Sequence, residues 1–209
     1  MDLQERVASI PGVDSITRFA QLERVLAAIL MLTPALLVVV DVGPEQVRDS
    51  VSAYHDIGRP ETFFVPLTVA AMLFIVNGVL KDGHWYNWVL GILLLMVVVF
   101  DHDGVSKVPH NFGALGFFGG NVATMVWFSK NKSGLLKAVL AGTIALAVVL
   151  WLLVDWFTLF WAEWVSLVIV ALHYILDSVG WTDYRALTDR DAAELVPATT
   201  PPPPEGSAA

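Results

Sequence analysis

Six long apolar stretches mark the chain, separated by short polar pieces. They run over about Val25–Val40, Thr62–Leu80, Trp85–Phe100, Asn111–Ser129, Leu135–Val154 and Trp156–Leu176. A spanning helix needs roughly 17–25 mostly apolar residues, and Leu22, Val42 and Tyr86 extend the shorter runs. Backbone polar groups in lipid must bond internally, so each run is expected to be a helix. Pro34 predicts a kink in the first run. Pro66 is expected in the first turn of the second, where its missing N–H is harmless. Trp85, Trp88, Trp151, Trp156, Trp161 and Trp181 lie towards segment ends, where indole favours the headgroup zone. The expected fold class is all-α, a polytopic membrane helix bundle of about six transmembrane helices.

The same pattern divides the chain into a segment over 1–21, a six-helix transmembrane domain over 22–178 and a tail over 179–209. Val7, Ile10, Val13, Ile16 and Phe19 recur about every three residues, as in an interfacial helix interrupted at Pro11-Gly12. Early charges and a late apolar run do not read as a cleavable signal. The tail ends in four prolines and small polar residues, a composition that buries no core and predicts disorder.

Composition agrees with lipid as solvent. Of 209 residues, 56% are hydrophobic and 15% charged, against about 25% charged in soluble domains. The net charge is −8 and there is no cysteine, which excludes disulfides and thiolate metal sites. Walker, dinucleotide-glycine and HExxH motifs are absent, as is the basic aromatic stripe of a nucleic-acid binder, so no nucleic-acid partner is expected. Lysine and arginine set orientation. With the N-terminus inside, the inner pieces hold Arg6, Arg18, Arg24, Lys81, Lys130, Lys132, Lys137, Arg185 and Arg190, and the outer ones Arg48, Arg59 and Lys107. This asymmetry predicts cytoplasmic N- and C-termini in a bacterial plasma membrane.

That topology gathers the candidate chemistry outside. The first outer loop carries Ser52 and His55 and ends at Glu61; the second carries Asp101, His102 and Asp103 and ends at His110. Glu163 is expected about two turns into the sixth helix. A carboxylate inside a span costs several kcal/mol unless it meets a partner or water, so Glu163 is a functional candidate or an interhelical tie. Ser52, His55, Glu61, His110 and Glu163 form the candidate polar site. His55, His102 and His110 with Asp101 or Asp103 have the donor types of an open zinc site, although loop histidines beside acids are more often simply solvated. Gly113, Gly116, Gly119 and Gly120 suit close helix approach, either to a neighbouring helix or in a homo-oligomer.

Three patterns carry a resemblance: Ser50-Val51-Ser52-Ala53-Tyr54-His55 with Pro60-Glu61-Thr62-Phe63-Phe64; His110-Asn111-Phe112-Gly113-Ala114-Leu115-Gly116-Phe117-Phe118; and Phe160-Trp161-Ala162-Glu163-Trp164. Over roughly Val25 to Asp177 the chain resembles the Frag/DRAM/Sfk family of six-helix membrane proteins and similar bacterial proteins. The resemblance implies a six-helix bundle and, from some eukaryotic members, a link to lipid. Ser52-x-x-His55 is also similar to the ceramidase and adiponectin-receptor group, but the last span offers His173 without a histidine four residues on. Three functions are expected to compete. One is a lipid-binding membrane protein, another a zinc-dependent lipid hydrolase or transferase, and the third a small transporter titrating Glu163.

Overall fold

The computed structural model describes residues 19–41, 47–56, 59–80, 84–101, 103–128 and 134–179. These form six helices and, among the described residues, no strand: α1 (Phe19–Asp41), α2 (Glu61–Leu80), α3 (Tyr86–Val99), α4 (Lys107–Ala123), α5 (Gly134–Leu153) and α6 (Leu159–Ser178). Each falls on one of the six apolar runs. Four contain segments long and apolar enough to cross a membrane: Gln21–Asp41 in α1, and α2, α5 and α6. α3 is apolar but has only 14 residues. α4 has 17 and continues as a π-helical turn over Thr124–Phe128. Residues 1–18 of the predicted interfacial segment, His102 and the proline-rich tail lie outside the described residues, while Phe19 begins α1.

Successive helices alternate in direction, giving the bundle two poles. One, the loop pole, carries the described parts of the connections from α1 to α2, α3 to α4 and α5 to α6. The other, the terminal pole, carries the start of α1 and the end of α6. α1 lies between α2 and α6, α3 between α2 and α4, and α5 leans on α6. α5 reaches α4 largely at the π-helical end, at the terminal pole.

The surface is inverted relative to a water-soluble protein. Val39, Leu115, Leu135 and Leu153 are each more than 70% exposed, while Glu23, Asn77, Asn87 and Asn121 are almost wholly buried. Lipid tails are as apolar as leucine, so such a bundle is held by close packing and interhelical hydrogen bonds rather than by water exclusion. Glycines supply the close approach. A Cβ on Gly113 would lie 2.8 Å from the Leu93 carbonyl oxygen, and one on Gly120 would lie 2.6 Å from Leu90. Gly113, Gly116 and Gly120 therefore seat α4 on α3 within one chain, and of the four glycines only Gly119 faces open space. The glycine face weighed as a homo-oligomer contact is thus largely used internally.

One proline differs from expectation. α2 begins at Glu61, so Pro66 is its sixth residue and lies in the second turn. There its missing N–H removes a regular helical bond, to the carbonyl four residues back. Pro34 lies inside α1 as expected.

Candidate functional site

At the loop pole, the connection after α1 folds into the bundle. Val51 and Tyr54 are buried in a small core with Leu37, Phe63, Leu67, Val98 and Phe160. The Ser-x-Ser pattern explains the local bend. Ser50 Oγ accepts the Ala53 N–H at 3.1 Å and meets Ser52 Oγ at 3.0 Å. Such a side-chain bond satisfies a leading N–H of a short helix, here the 3-10 turn Ser52–Asp56. Arg48 grips Asp41 through Nε at 2.6 Å and a second nitrogen at 3.2 Å. It also lies over the Tyr54 ring, and its backbone N–H donates to the Tyr54 hydroxyl at 3.3 Å. Burial pushes the Tyr54 phenol above its ordinary pKa, opposed in part by that N–H.

This loop and α6 satisfy each other's backbone groups. The Phe160 N–H, one of the donors a helix start leaves unpaired, bonds the Asp49 carbonyl at 2.6 Å. In return, Glu163 Oε2 accepts the Val51 N–H at 2.6 Å. The two bonds form a reciprocal clamp across 112 residues of sequence. A hydrogen bond to a charged group is worth about 1.5–3 kcal/mol, and a carboxylate near a helix N-terminus gains from the dipole. α6 starts at Leu159, so Glu163 is its fifth residue and sits about one turn in, not two. That places it about 6 Å from the helix start at 1.5 Å per residue, within reach of the folded loop.

Beside the clamp is a partly open cavity of about 30 Å³. Glu163 and Ser52 are its polar corner. Phe63 and Leu67 of α2, Leu94 and Val97 of α3, and Phe117 of α4 supply apolar walls. On the same measure a water needs about 10–15 Å³. Among the described residues, Glu163 accepts only the Val51 hydrogen bond and forms no ion pair. The site can therefore hold a small donor group against a carboxylate while presenting apolar surface beyond it.

The other candidates are placed differently. His55 packs its ring on Phe64 at 4.7 Å and Phe63 at 6.0 Å. His110 is buried and donates from Nδ1 to the Phe100 carbonyl at 2.9 Å, joining α4 to the end of α3. Neither lines the cavity. Glu61 begins α2 and is exposed. Asp103 is exposed and precedes the 3-10 turn Gly104–Ser106, while Asp101 is partly buried. Among the described residues, no three His, Asp or Glu side chains group as metal ligands. Of the candidate set, Ser52 and Glu163 are brought to one cavity.

A second polar cluster was missed in the sequence. At the terminal pole, Tyr174 OH donates to Asn87 Oδ1 at 2.7 Å, Asn87 Nδ2 to Asn77 Oδ1 at 2.6 Å, and Asn77 Nδ2 to Glu23 Oε1 at 3.2 Å. The chain ties α6, α3, α2 and α1, and each donor points towards Glu23. Hydrogen-bond chains of one sense polarise one another. The available signal was an asparagine interrupting each of two apolar runs.

No curated protein and no solved structure matches the chain. A family match covers most of the bundle, from within α1 to the end of α6: the chain belongs to the family of unknown function DUF7103, whose sequence model matches residues 32–178.

Proposed function

We propose that this is a six-span membrane protein that binds a membrane lipid at the Glu163 cavity. In this reading α3 and α4 also cross the bilayer despite their short lengths. Both termini face the cytoplasm, following the nine-to-three bias of lysine and arginine between the poles. The loop pole then faces outward and Glu163 lies near the boundary of headgroups and acyl chains.

The observation that carries the reading is the pairing of a clamped carboxylate, with Ser52 beside it, and a largely apolar cavity between four helices. Lipid sites need that combination, an apolar wall for the chain and few polar groups to fix the head. The test is lipid retention by the purified full chain, read by native mass spectrometry. Leu167, one turn after Glu163 on α6, lines the cavity, and Leu167→Trp fills it. Wild type should retain lipid through gentle delipidation and Leu167→Trp should lose most of it. Equal retention would remove the cavity as the binding site. A reporter fused after Ala209 should be active on the cytoplasmic side, and one near Gly104 on the outer side; the reverse would overturn the orientation.

A further inference from the structure

We propose that the cavity beside Glu163 takes the primary ammonium head of a membrane amphiphile, whose apolar chain leaves between α4 and α6. The inference rests on the lipid-binding reading and names the class of ligand.

Three observations converge. The first is chemical. Within a span, a carboxylate needs a counter-charge or strong donors, and the described protein supplies Glu163 with one backbone N–H. The closest loop cation in sequence to Val51, Arg48, grips Asp41. A primary ammonium brings three donors and a positive charge, and charge-assisted bonds of this kind are about twice as strong as neutral ones.

The second is the field. Among the described side chains, the loop pole carries Asp41, Asp49, Glu61, Asp101, Asp103, Asp155 and Glu163 against Arg48, Arg59 and Lys107. Seven acidic groups less three basic ones leave −4. Such a surface concentrates cations and repels anionic heads.

The third is room and donor count. The cavity, about 30 Å³, is two to three times the roughly 10–15 Å³ that one water needs on the same measure, which accommodates an –NH₃⁺ group. A trimethylammonium has no N–H to offer the carboxylate and is bulkier by three methyl groups. The chain has a route out, because Ala114 and Phe118 of α4 face the cavity with Leu167 of α6, and α4 and α6 lack extensive packing on each other.

The test uses the full chain in phosphatidylcholine nanodiscs, with dodecylamine and dodecyltrimethylammonium as probes. Affinities are read by native mass spectrometry for wild type, Glu163→Gln and Leu167→Trp. Glu163→Gln keeps an oxygen for the Val51 N–H but removes the charge. Wild type should bind dodecylamine at least 10-fold more tightly than the trimethyl analogue. Glu163→Gln should abolish that preference, and Leu167→Trp should weaken both. Equal affinities in wild type, or an undiminished preference in Glu163→Gln, would overturn ammonium recognition while leaving lipid binding intact. Both probes binding Leu167→Trp as tightly as wild type would overturn the cavity itself, and the proposal with it.

Discussion

Two carboxylates, Glu23 and Glu163, sit near opposite ends of the same bundle and are handled in opposite ways. Glu23 is 1% exposed and ends a chain of side-chain donors that binds four helices together. Glu163 is held by one backbone N–H from a loop and borders a cavity. The first arrangement spends the carboxylate's acceptor capacity on the fold. The second fixes the carboxylate in place and keeps some of that capacity for a visitor. An acid in a span is therefore not diagnostic alone; what bonds it separates a structural knot from a site.

The largest expected effect lies at the knot. Asn87→Leu leaves the Asn77 amide oxygen and hydroxyl proton of Tyr174 without their partner, at about 1–3 kcal/mol for each buried orphan. Thermal unfolding in detergent should show a loss of about 2–6 kcal/mol. A loss below about 0.5 kcal/mol would mean the terminal-pole chain ties nothing, and the contrast with Glu163 would collapse. Packing damage of similar size should follow Gly113→Leu, which drives a side chain into the α3 backbone, at about 1–3 kcal/mol. Gly119→Leu, whose Cβ meets nothing within 4 Å, is the matched control and should stay within about 0.5 kcal/mol.

A smaller and more local effect is expected at the clamp. Glu163→Leu should free the loop over 47–56, with hydrogen exchange at the Val51 amide at least about 10-fold faster, as for loss of about 1.4 kcal/mol. The terminal pole should keep its protection. Uniform loss of protection at both poles would show that Glu163, like Glu23, supports the whole bundle.

The smallest effect concerns Tyr54. Its folded pKa is raised by burial, so the neutral phenol is the form the fold prefers. The associated stability is fully present below the ordinary tyrosine value of 10.0 and falls as pH climbs through the raised one. Loop protection at 47–56 should weaken in that alkaline range and do so less in Tyr54→Phe. An identical alkaline profile in both proteins would detach the loop from this phenol.

The six helices were legible because a run of lipid-compatible residues is a strong and local signal, and four of them are long and apolar enough to cross a membrane. Glu163 was legible for the converse reason, as a charge interrupting such a run. Its actual partner was not, because the donor is the backbone of Val51, and backbone groups carry no sequence signature. Asn77 and Glu23 are 54 residues apart and Tyr174 and Asn87 are 87 apart. All four sit near span ends, where a polar residue passes as an interfacial one. His55 and His110 drew notice as metal-ligand types, yet His55 packs edge-to-face against Phe64 and His110 bonds a backbone carbonyl. Side-chain chemistry proposes such groupings, whereas only the turn at Ser50–Ser52 decides which residue reaches the cavity.

The length of α3 has a consequence for the bilayer around it. Its 14 residues rise about 21 Å at 1.5 Å per residue, against roughly 30 Å of hydrocarbon. α2 and α4 flank it through glycine contacts that leave no slack for it to slide. If it crosses, the lipid must yield instead, thinning along this flank at a cost of fractions of a kcal/mol per Å. Membrane thickness then becomes a variable the protein senses. Reconstitution across a series of acyl-chain lengths should place its greatest thermal stability in the shorter chains, and a maximum in thick bilayers would show that α3 does not traverse. An organism that thickens its membrane would, on this account, loosen the α3 flank without changing a residue.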